Sequence, residues 1–465
     1  MKKNIFFIGA GGIGMAALER YFLSQGHNVG GYDLTPTALT DALIKEGADI
    51  NFDGSVESIP TQFRDSSDTL VVFTPAVPES LPCFTWFRKN GFEIVKRARL
   101  LGMITRRSKS LCFAGTHGKT TTSSIAAHIL ASTPMVGCNA FLGGILRNYH
   151  SNFILSPDAE FTVIEADEFD RSFHQLSPYI AVVTAVDPDH LDIYGNEEEY
   201  AKSFEQFTSL IEPGGKLLMH SNLNFNPRVN DEVEVYTYSG KPENEAPDFH
   251  ASNIRRVDSH LVFDLSFPDG TEIKDIEFGS PALINVDNAV AAIGAVWLAK
   301  ALEIPSMMKA LKSFKGVERR FEVRWTEESP GKRIIIDDYA HHPAEIEASI
   351  KSVKSIFPDR KITVVFQPHL YTRTRDFKRE FAQALSNADE VVLTTLYPAR
   401  EKPIPGISSL TILDLVENKE KQIIEKENFP DFVKNCNFEV LLTLGAGDLP
   451  NYIDEAVKLL EADNY

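Results

Sequence analysis

The sequence predicts an α/β protein built as three domains. Three observations carry that reading: a length of 465 residues, strand-like apolar runs alternating with amphipathic helical stretches, and glycine-rich turns at strand-to-helix junctions. At roughly 150 residues per domain, a single core is too small for such a chain. The first series is Ile5 to Ile8, a helix from about Gly12 to Gln25, Val29 to Tyr32, and Leu70 to Phe73. A second series starts with the apolar Leu111 to Ala114, turns through Gly115 and Gly118 into a helix from about Lys119 to Leu130, and continues with Phe161 to Glu165 and Ile180 to Thr184. From Asn222 to Pro281 short strands and turns without helical period read as a β-rich insertion. A helix at about Asn285 to Ala301 and a turn at Lys315-Gly316 lead into a third series, Arg333 to Asp337, a helix after Pro343, Ile362 to Phe366, Val391 to Thr394 and Val440 to Leu444. The predicted divisions are 1–107, 108–316 and 317–465. The Arg-rich stretch Lys96 to Lys109 lies at the first of them, as a solvated face or as part of a site.

Composition excludes several classes. Hydrophobic residues at 43% and charged residues at 24% are those of an ordinary globular chain, neither disordered nor membrane-spanning. A net charge of −18 argues against general affinity for nucleic acid or anionic membranes, while leaving room for a local basic cleft. Cys83, Cys112, Cys138 and Cys436 are widely spaced and form no C-x-x-C pair, which reads as buried thiols in a reducing compartment. The apolar run after Lys2 and Lys3 imitates a signal peptide, but Gly9, Gly11, Gly12 and Gly14 interrupt it, and a first strand and turn explain it better. These readings place the protein in the cytoplasm, as a monomer or homodimer.

The strongest local signal is Gly115-Thr116-His117-Gly118-Lys119-Thr120-Thr121, between a strand and a helix. Glycines let successive backbone amides face phosphate oxygens, and the helix N-terminus adds partial positive charge. Lys119 then reaches the terminal phosphates of ATP and Thr120 ligates Mg²⁺. The G-x-x-G-K-T spacing is shorter than the usual G-x-x-x-x-G-K-T loop and points away from ordinary GTPases and motor ATPases. Gly9-Ala10-Gly11-Gly12-Ile13-Gly14 matches G-x-G-x-x-G after a strand, with Asp33 at the end of the next strand, where a ribose is held. This pattern predicts a nucleotide diphosphate; a dinucleotide such as NAD and a purely structural turn are the competing readings.

Carboxylates follow the second series. Glu165-Ala166-Asp167-Glu168 leaves an apolar strand beside the phosphate loop, where a Mg²⁺ ligand is wanted, and Glu165 is the candidate. Asp187-Pro188-Asp189-His190-Leu191-Asp192 follows another strand, and His190 taken alone reads as a capping or core histidine. In the third series Asp337-Asp338-Tyr339-Ala340-His341-His342-Pro343 opens a helix; a capped helix start is the plain reading, and adjacent histidines pointing apart do not make a zinc site. Gln367-Pro368-His369-Leu370-Tyr371-Thr372-Arg373-Thr374-Arg375 offers arginines that either clamp a carboxylate or pair on the surface.

Together these motifs, in this order and over nearly the whole chain, resemble the Mur ligase family and within it the alanine-adding branch. Asn285-Val286-Asp287-Asn288-Ala289, Arg319-Arg320-Phe321-Glu322 and Tyr397-Pro398-Ala399-Arg400-Glu401 extend the likeness. The resemblance implies a Rossmann-like N-terminal domain for a UDP-sugar, a central P-loop ATPase-type domain, and a C-terminal Rossmann-like domain. It implies ATP-dependent ligation of L-alanine to the lactyl carboxylate of UDP-N-acetylmuramate through an acyl phosphate, in peptidoglycan precursor synthesis. On that likeness Lys119, Glu165 and His190 are catalytic, with Thr120, Glu165 and His190 serving Mg²⁺. Asn285, Asn288, Arg320 and Asp338 join the loop in holding ATP, the turn at Gly9 to Gly14 with Asp33 holds the UDP-sugar, and Tyr339, His341 and Arg373 lie near the amino acid or product. Departures from the family pattern are Ile284 before the Asn pair, Leu370 after Gln-Pro-His, and Phe204 where later Mur ligases carry a carbamylated lysine, the last in keeping with alanine addition. A murein peptide ligase and, in another class, an NAD-dependent oxidoreductase are the alternatives.

Overall fold

The computed structural model describes residues 2–75, 77–156, 159–189, 191–241, 246–257, 260–327, 332–399 and 401–462. Strands β1 (Asn4–Ile8), β2 (Asn28–Tyr32), β3 (Asp49–Asn51), β4 (Thr69–Phe73) and β5 (Glu93–Lys96) form a sheet in the order β3-β2-β1-β4-β5. Every pairing is parallel. All five residues of β1 are buried, as expected of a strand covered on both faces, where a continuous apolar run replaces alternation. Helices α1 (Ile13–Ser24), α2 (Ala38–Lys45), α3 (Pro82–Lys89) and α4 (Arg97–Thr105) accompany this sheet. The Arg-rich stretch after Lys96 is thus largely the helix α4, with Leu100, Leu101 and Ile104 buried.

A second sheet holds β6 (Lys109–Ala114), β7 (Asn139–Leu146), β8 (Ser151–Ile154), β9 (Phe161–Glu165), β10 (Ile180–Val183), β11 (Lys216–His220), β12 (Glu234–Ser239), β13 (Phe249–Val257), β14 (His260–Ser266) and β15 (Glu272–Phe278). Their order is β15-β14-β13-β12-β11-β10-β6-β9-β7-β8. Helices α5 (Lys119–Ser132), α6 (Leu191–Tyr194), α7 (Glu197–Thr208), α8 (Ile284–Leu298) and α9 (Ile304–Ser313) follow in the chain. The β-rich character expected at 222–281 is borne out, with the difference that its strands prolong the central sheet: β12 pairs in parallel with β11, and β13 to β15 continue it as an antiparallel extension. Packing explains the difference, because Phe263, Leu265, Ile276 and Phe278 are buried and the Phe249 ring lies 5.5 Å from Trp297 of α8. Short strands carry no mark of the sheet they join, since register is set by partners distant in sequence.

These two sheets belong to one compact unit, residues 1–279 with 286–315. Its core runs without a break from Ile5 and Phe7 through Phe22 to Phe141, Phe153 and Val183. Helix α1 is bolted to the β7–β8 hairpin by the fully buried Asn152, which accepts from Arg20 at 2.8 Å and donates to the Ile13 carbonyl at 2.6 Å. The Tyr21 ring packs on Phe141 and Phe153.

The other unit, residues 280–285 with 316–465, contains β16 (Glu322–Thr326), β17 (Ile334–Asp338), β18 (Ile362–Phe366), β19 (Glu390–Thr394), β20 (Lys421–Ile424) and β21 (Val440–Leu444) in the order β16-β17-β21-β18-β19-β20. Among the described strands of this sheet, only β16 runs antiparallel. Its helices are α10 (Pro343–Ile356), α11 (Tyr371–Asp376), α12 (Lys378–Leu385), α13 (Leu410–Leu413), α14 (Phe429–Asn435) and α15 (Pro450–Ala462). No described helix in the chain is long and apolar enough to cross a membrane, and all four cysteines are free, three of them buried.

One buried carboxyl stands apart from this packing. Glu19 on α1 is fully buried and neither carboxylate oxygen has a hydrogen-bond partner. Burial pushes its pKa well above the ordinary glutamate range; Arg20 opposes the rise, and Asp33 and Glu46 add to it. The folded chain therefore keeps this proton at pH values where the unfolded chain has released it. Stability falls as pH rises above the ordinary glutamate value of 4.5 toward the raised folded value. Glu19→Gln is expected to be more stable than the parent at pH 8 by roughly 1–3 kcal/mol, with the gap closing toward pH 4.5 in urea titrations. A gap that stays constant with pH would refute the burial argument.

Candidate functional site: phosphate loop, acid cluster and glycine turn

The loop after β6 has its shape fixed by two glycines and the neighbouring strand. Gly115 (φ +139°) and Gly118 (φ +81°) adopt backbone angles that L side chains rarely take. A Cβ on Gly115 would also run into Thr184, which follows β10, and one on Gly118 would stand 2.7 Å from Asn288 Oδ1. Thr184 Oγ1 donates to the His117 carbonyl. The Thr116 amide donates to the Ala185 carbonyl at 3.0 Å, and its hydroxyl donates to the Asp187 carbonyl at 2.7 Å and meets Tyr200 Oη at 2.9 Å. His117 Nε2 lies 3.5 Å from Asp187. Thr120 and Thr121 are buried in the first turn of α5, and Thr122 donates to Asn288 Oδ1 at 3.0 Å. Asn288, expected from sequence to touch the nucleotide, thus braces the helix that carries the loop.

Lys119 folds back over its own loop, donating to the carbonyls of Gly115 (2.5 Å) and Thr116 (3.3 Å) and to Glu168 at 3.0 Å. Its ammonium lies 2.9 Å from the other Glu168 oxygen. Glu168 is buried and Lys119 partly so. Burial pushes the Glu168 carboxyl up to about 7, with Lys119 opposing the shift. Sequence reasoning missed this residue; its only signal was membership of the Glu-Ala-Asp-Glu run. Glu165, the candidate from that run, ends β9 and accepts from the Gly143 amide at 2.9 Å. Glu165 and Asp167 also add to the negative potential at Lys119. A hydroxyl at Thr120 and a carboxylate at Glu165 fit Mg²⁺, a hard cation that takes oxygen ligands and shares phosphate oxygens. His190 lies outside the described residues, and among those described no set of three His, Cys, Asp or Glu side chains forms a metal cluster.

At the glycine turn after β1, the amides of Gly9 (φ +91°) and Ala10 donate to the Tyr32 carbonyl at 2.8 and 3.0 Å. Asp33 accepts from the Gly11 amide at 2.6 Å, so the expected ribose ligand also clamps the turn. Gly12 caps α1 without a side-chain bond, Ile13 is partly exposed, and Gly14 lies beneath Arg97, whose Cζ would be 3.2 Å from a Cβ there. Arg97 was not singled out within the basic stretch. It pairs with Asp167 at 3.2 Å, and Lys96 pairs with Asp170 at 3.0 Å.

In the second unit the predicted residues gather after β17. Asp338 is buried and accepts from Ser349; burial raises its carboxyl to about 6. The Tyr339 ring receives the guanidinium groups of Arg319 and Arg320, each 4.9 Å from its centre. His341 Nδ1 lies 3.0 Å from the Tyr339 carbonyl, and Glu345 accepts from the amides of His341 and His342 at 3.0 and 3.2 Å. Asn285 donates to Ser280 at 2.6 Å. Arg373 is buried in α11 after β18. Because β17 and β18 both flank β21 in parallel, their carboxyl ends share one edge, where open α/β sheets place ligands.

Three family models match the chain: "Mur ligase family, catalytic domain" over 4–109, "Mur ligase middle domain" over 113–296, and "Mur ligase, glutamate ligase domain" over 319–448. A UDP-N-acetylmuramate--L-alanine ligase of Phocaeicola vulgatus is 52% identical over 459 residues, 98% of each chain. The crystal structure of a UDP-N-acetylmuramate-alanine ligase of Thermotoga maritima superposes with a TM-score of 0.80 at 27% identity, covering 99% of both chains. A murein peptide ligase of Psychrobacter arcticus, at 20% identity and a TM-score of 0.67 over 98% of each chain, shares the fold.

Gly118→Ala is expected to lose about 1 kcal/mol of stability through its left-handed backbone and to weaken ATP binding roughly tenfold by displacing Asn288. Thermal unfolding and nucleotide titration measure the two effects. ATP affinity equal to that of the parent would count against the loop as the phosphate cradle.

Proposed function

The chain belongs to the Mur ligase family, and from that premise we propose how its residues divide the work. It is an ATP-dependent, amide-bond-forming ligase that joins L-alanine to UDP-N-acetylmuramate in peptidoglycan synthesis. The likeness to the murein peptide ligase is one of fold, and the NAD reading leaves the loop at Gly115 unexplained. We assign residues 1–107 to the UDP-sugar, 108–316 to ATP and ligation, and 317–465 to the C-terminal ligase domain; the change of compact unit after Lys315 supports the second of these boundaries. ATP and a UDP-sugar as substrates put the reaction in the cytoplasm.

The observation that carries the assignment is Lys119, partly buried, positioned by two loop carbonyls and countered by the buried Glu168. A lactyl carboxylate attacking the γ phosphate must approach a group of its own sign, so the barrier is chiefly electrostatic and positional. In the proposed scheme the carboxylate oxygen bonds to phosphorus as ADP leaves, giving an acyl phosphate. The alanine amine then attacks the carbonyl carbon, phosphate departs, and the amine gives up its proton. Lys119 exchanges Glu168 for the β and γ phosphates, and the loop amides at 115–121 orient them. Mg²⁺ held by Thr120 and Glu165 would neutralise triphosphate charge. The turn at 9–14 with Asp33 holds the UDP-sugar; Asn285, Arg320 and Asp338 serve the nucleotide, and Tyr339, His341 and Arg373 the amino acid. Exclusion of water protects the acyl phosphate.

Lys119→Ala is expected to lower kcat by at least ~100-fold with an unchanged circular dichroism spectrum. In the parent, ADP release is expected to require UDP-N-acetylmuramate and L-alanine together, with glycine, L-serine and a tripeptide turned over more slowly. Steady ADP release without any amino acid would sink the scheme.

A further inference from the structure

We propose that Gln367 is a positioning residue for the amino-acid end of the ligation site, its side-chain amide fixing the loop 367–375 that delivers Arg373. The proposal rests on the reading that Arg373, with Tyr339 and His341, serves L-alanine. Gln367 is the first residue after β18 and is 1% exposed. Its Nε2 donates to Asp448 Oδ1 at 2.8 Å, and its Oε1 accepts from the Leu449 amide at 3.0 Å. Only a side chain with a donor and an acceptor side by side answers both groups. The other Asp448 oxygen accepts from Lys426, so the glutamine meets a carboxylate already held in place.

The turn 445–449 after β21 is shaped around that amide. A Cβ on Gly445 (φ +133°) would stand 2.6 Å from the Gln367 carbonyl oxygen, and one on Gly447 would collide with Oε1. Both positions need glycine for the glutamine to lie where it does. The Gln367 backbone amide donates to the Leu444 carbonyl at 3.0 Å, and the Gly445 amide to the Asp338 carbonyl at 3.2 Å. The exits of β18, β21 and β17 are thereby tied in series. From Gln367 the chain runs through Leu370, whose φ of +68° persists in a residue with a side chain only where its surroundings impose it. Tyr397 supplies one constraint: its amide donates to the Pro368 carbonyl at 2.8 Å, its carbonyl accepts from the Leu370 amide at 3.0 Å, and its ring stacks on His369 at 5.8 Å. Gln367 supplies the other. Held from both sides, the loop sets the buried Arg373 in α11 and brings the His369 ring to 6.2 Å from that of His341. The Asp338 carboxylate, assigned to the nucleotide, is held by Ser349 of α10 and needs no bond from the glutamine.

The test is steady-state kinetics with L-alanine and ATP varied in turn. Gln367→Glu sets a second carboxylate against that of Asp448; KM for L-alanine is expected to rise roughly tenfold, with KM for ATP within about twofold of the parent. Gln367→Met, of similar length and without charge, is expected to show the same split at roughly three- to tenfold. In the double variant Gln367→Glu/Asp448→Asn the amide and the carboxylate trade places. The nitrogen at 448 then donates to the carboxylate at 367, its oxygen keeps Lys426, and the carboxylate still accepts from Leu449. That variant is expected to fold and to return KM for L-alanine to within roughly threefold of the parent. A parent-like alanine KM in a folded single variant, an ATP KM that rises in step, or a double variant that stays unfolded or no better than Gln367→Glu overturns the proposal. Arg373→Ala tests the underlying reading separately. Unchanged KM for L-alanine in that variant removes the reading and the proposal together; a raised value there, with a parent-like value in Gln367→Glu, removes the proposal alone.

Discussion

The contact between Lys119 and the buried Glu168 holds the lysine in place, as its proposed grip on a triphosphate requires before the phosphate arrives. Taking two charges out of water is unfavourable unless each satisfies the other and both find further hydrogen bonds. Lys119 finds them in the carbonyls of Gly115 and Thr116. Those carbonyls point inward because Gly115 and Gly118 take backbone angles closed to other residues. Sheet order does the rest, since β6 lies between β9 and β10. The acid run leaving β9 and the Thr184 brace after β10 therefore reach the same loop. A buried lysine without its carboxylate would be an uncompensated charge, which costs about 3–5 kcal/mol.

The same economy of placement joins the two nucleotide-type turns of the first unit. Its core passes from the first sheet to the second without interruption, and Asn152 fastens α1 to the β7–β8 hairpin by two hydrogen bonds. The two turns differ in the charged side chains that stand beside them. The loop after β6 carries its own lysine, whereas the turn after β1 has no cation of its own and receives Arg97 from α4. Asp33, the acid of that turn, is occupied in shaping it. In the second unit, Tyr339 lies under two guanidinium groups, a cluster that orders Arg320 before any ligand is present.

Much of this was legible along the chain. The strand–glycine–helix junctions at 9–14 and 115–121 and the acids after β9 were located correctly, because the left-handed glycine and the helix N-terminus are local properties. The strand at 161–165 matched residue for residue for the related reason that a strand buried on both faces is a continuous apolar run. The region 222–281 was read as β-rich, but that its strands prolong the central sheet was not legible, since strands look alike whether they form a separate subdomain or prolong a sheet.

What the sequence by itself determined is the set of local units: where strands end, where glycine turns open, and which residue types stand beside them. Only the tertiary structure decided which of those residues meet. Glu168 became the partner of Lys119 across 49 positions, Arg97 that of Asp167 across 70, and Asn288 a brace for Thr122 across 166. The physical reason is that an ion pair or a buried hydrogen bond depends on distance in space, which sheet order sets, whereas backbone angles and hydrophobic period depend on immediate neighbours.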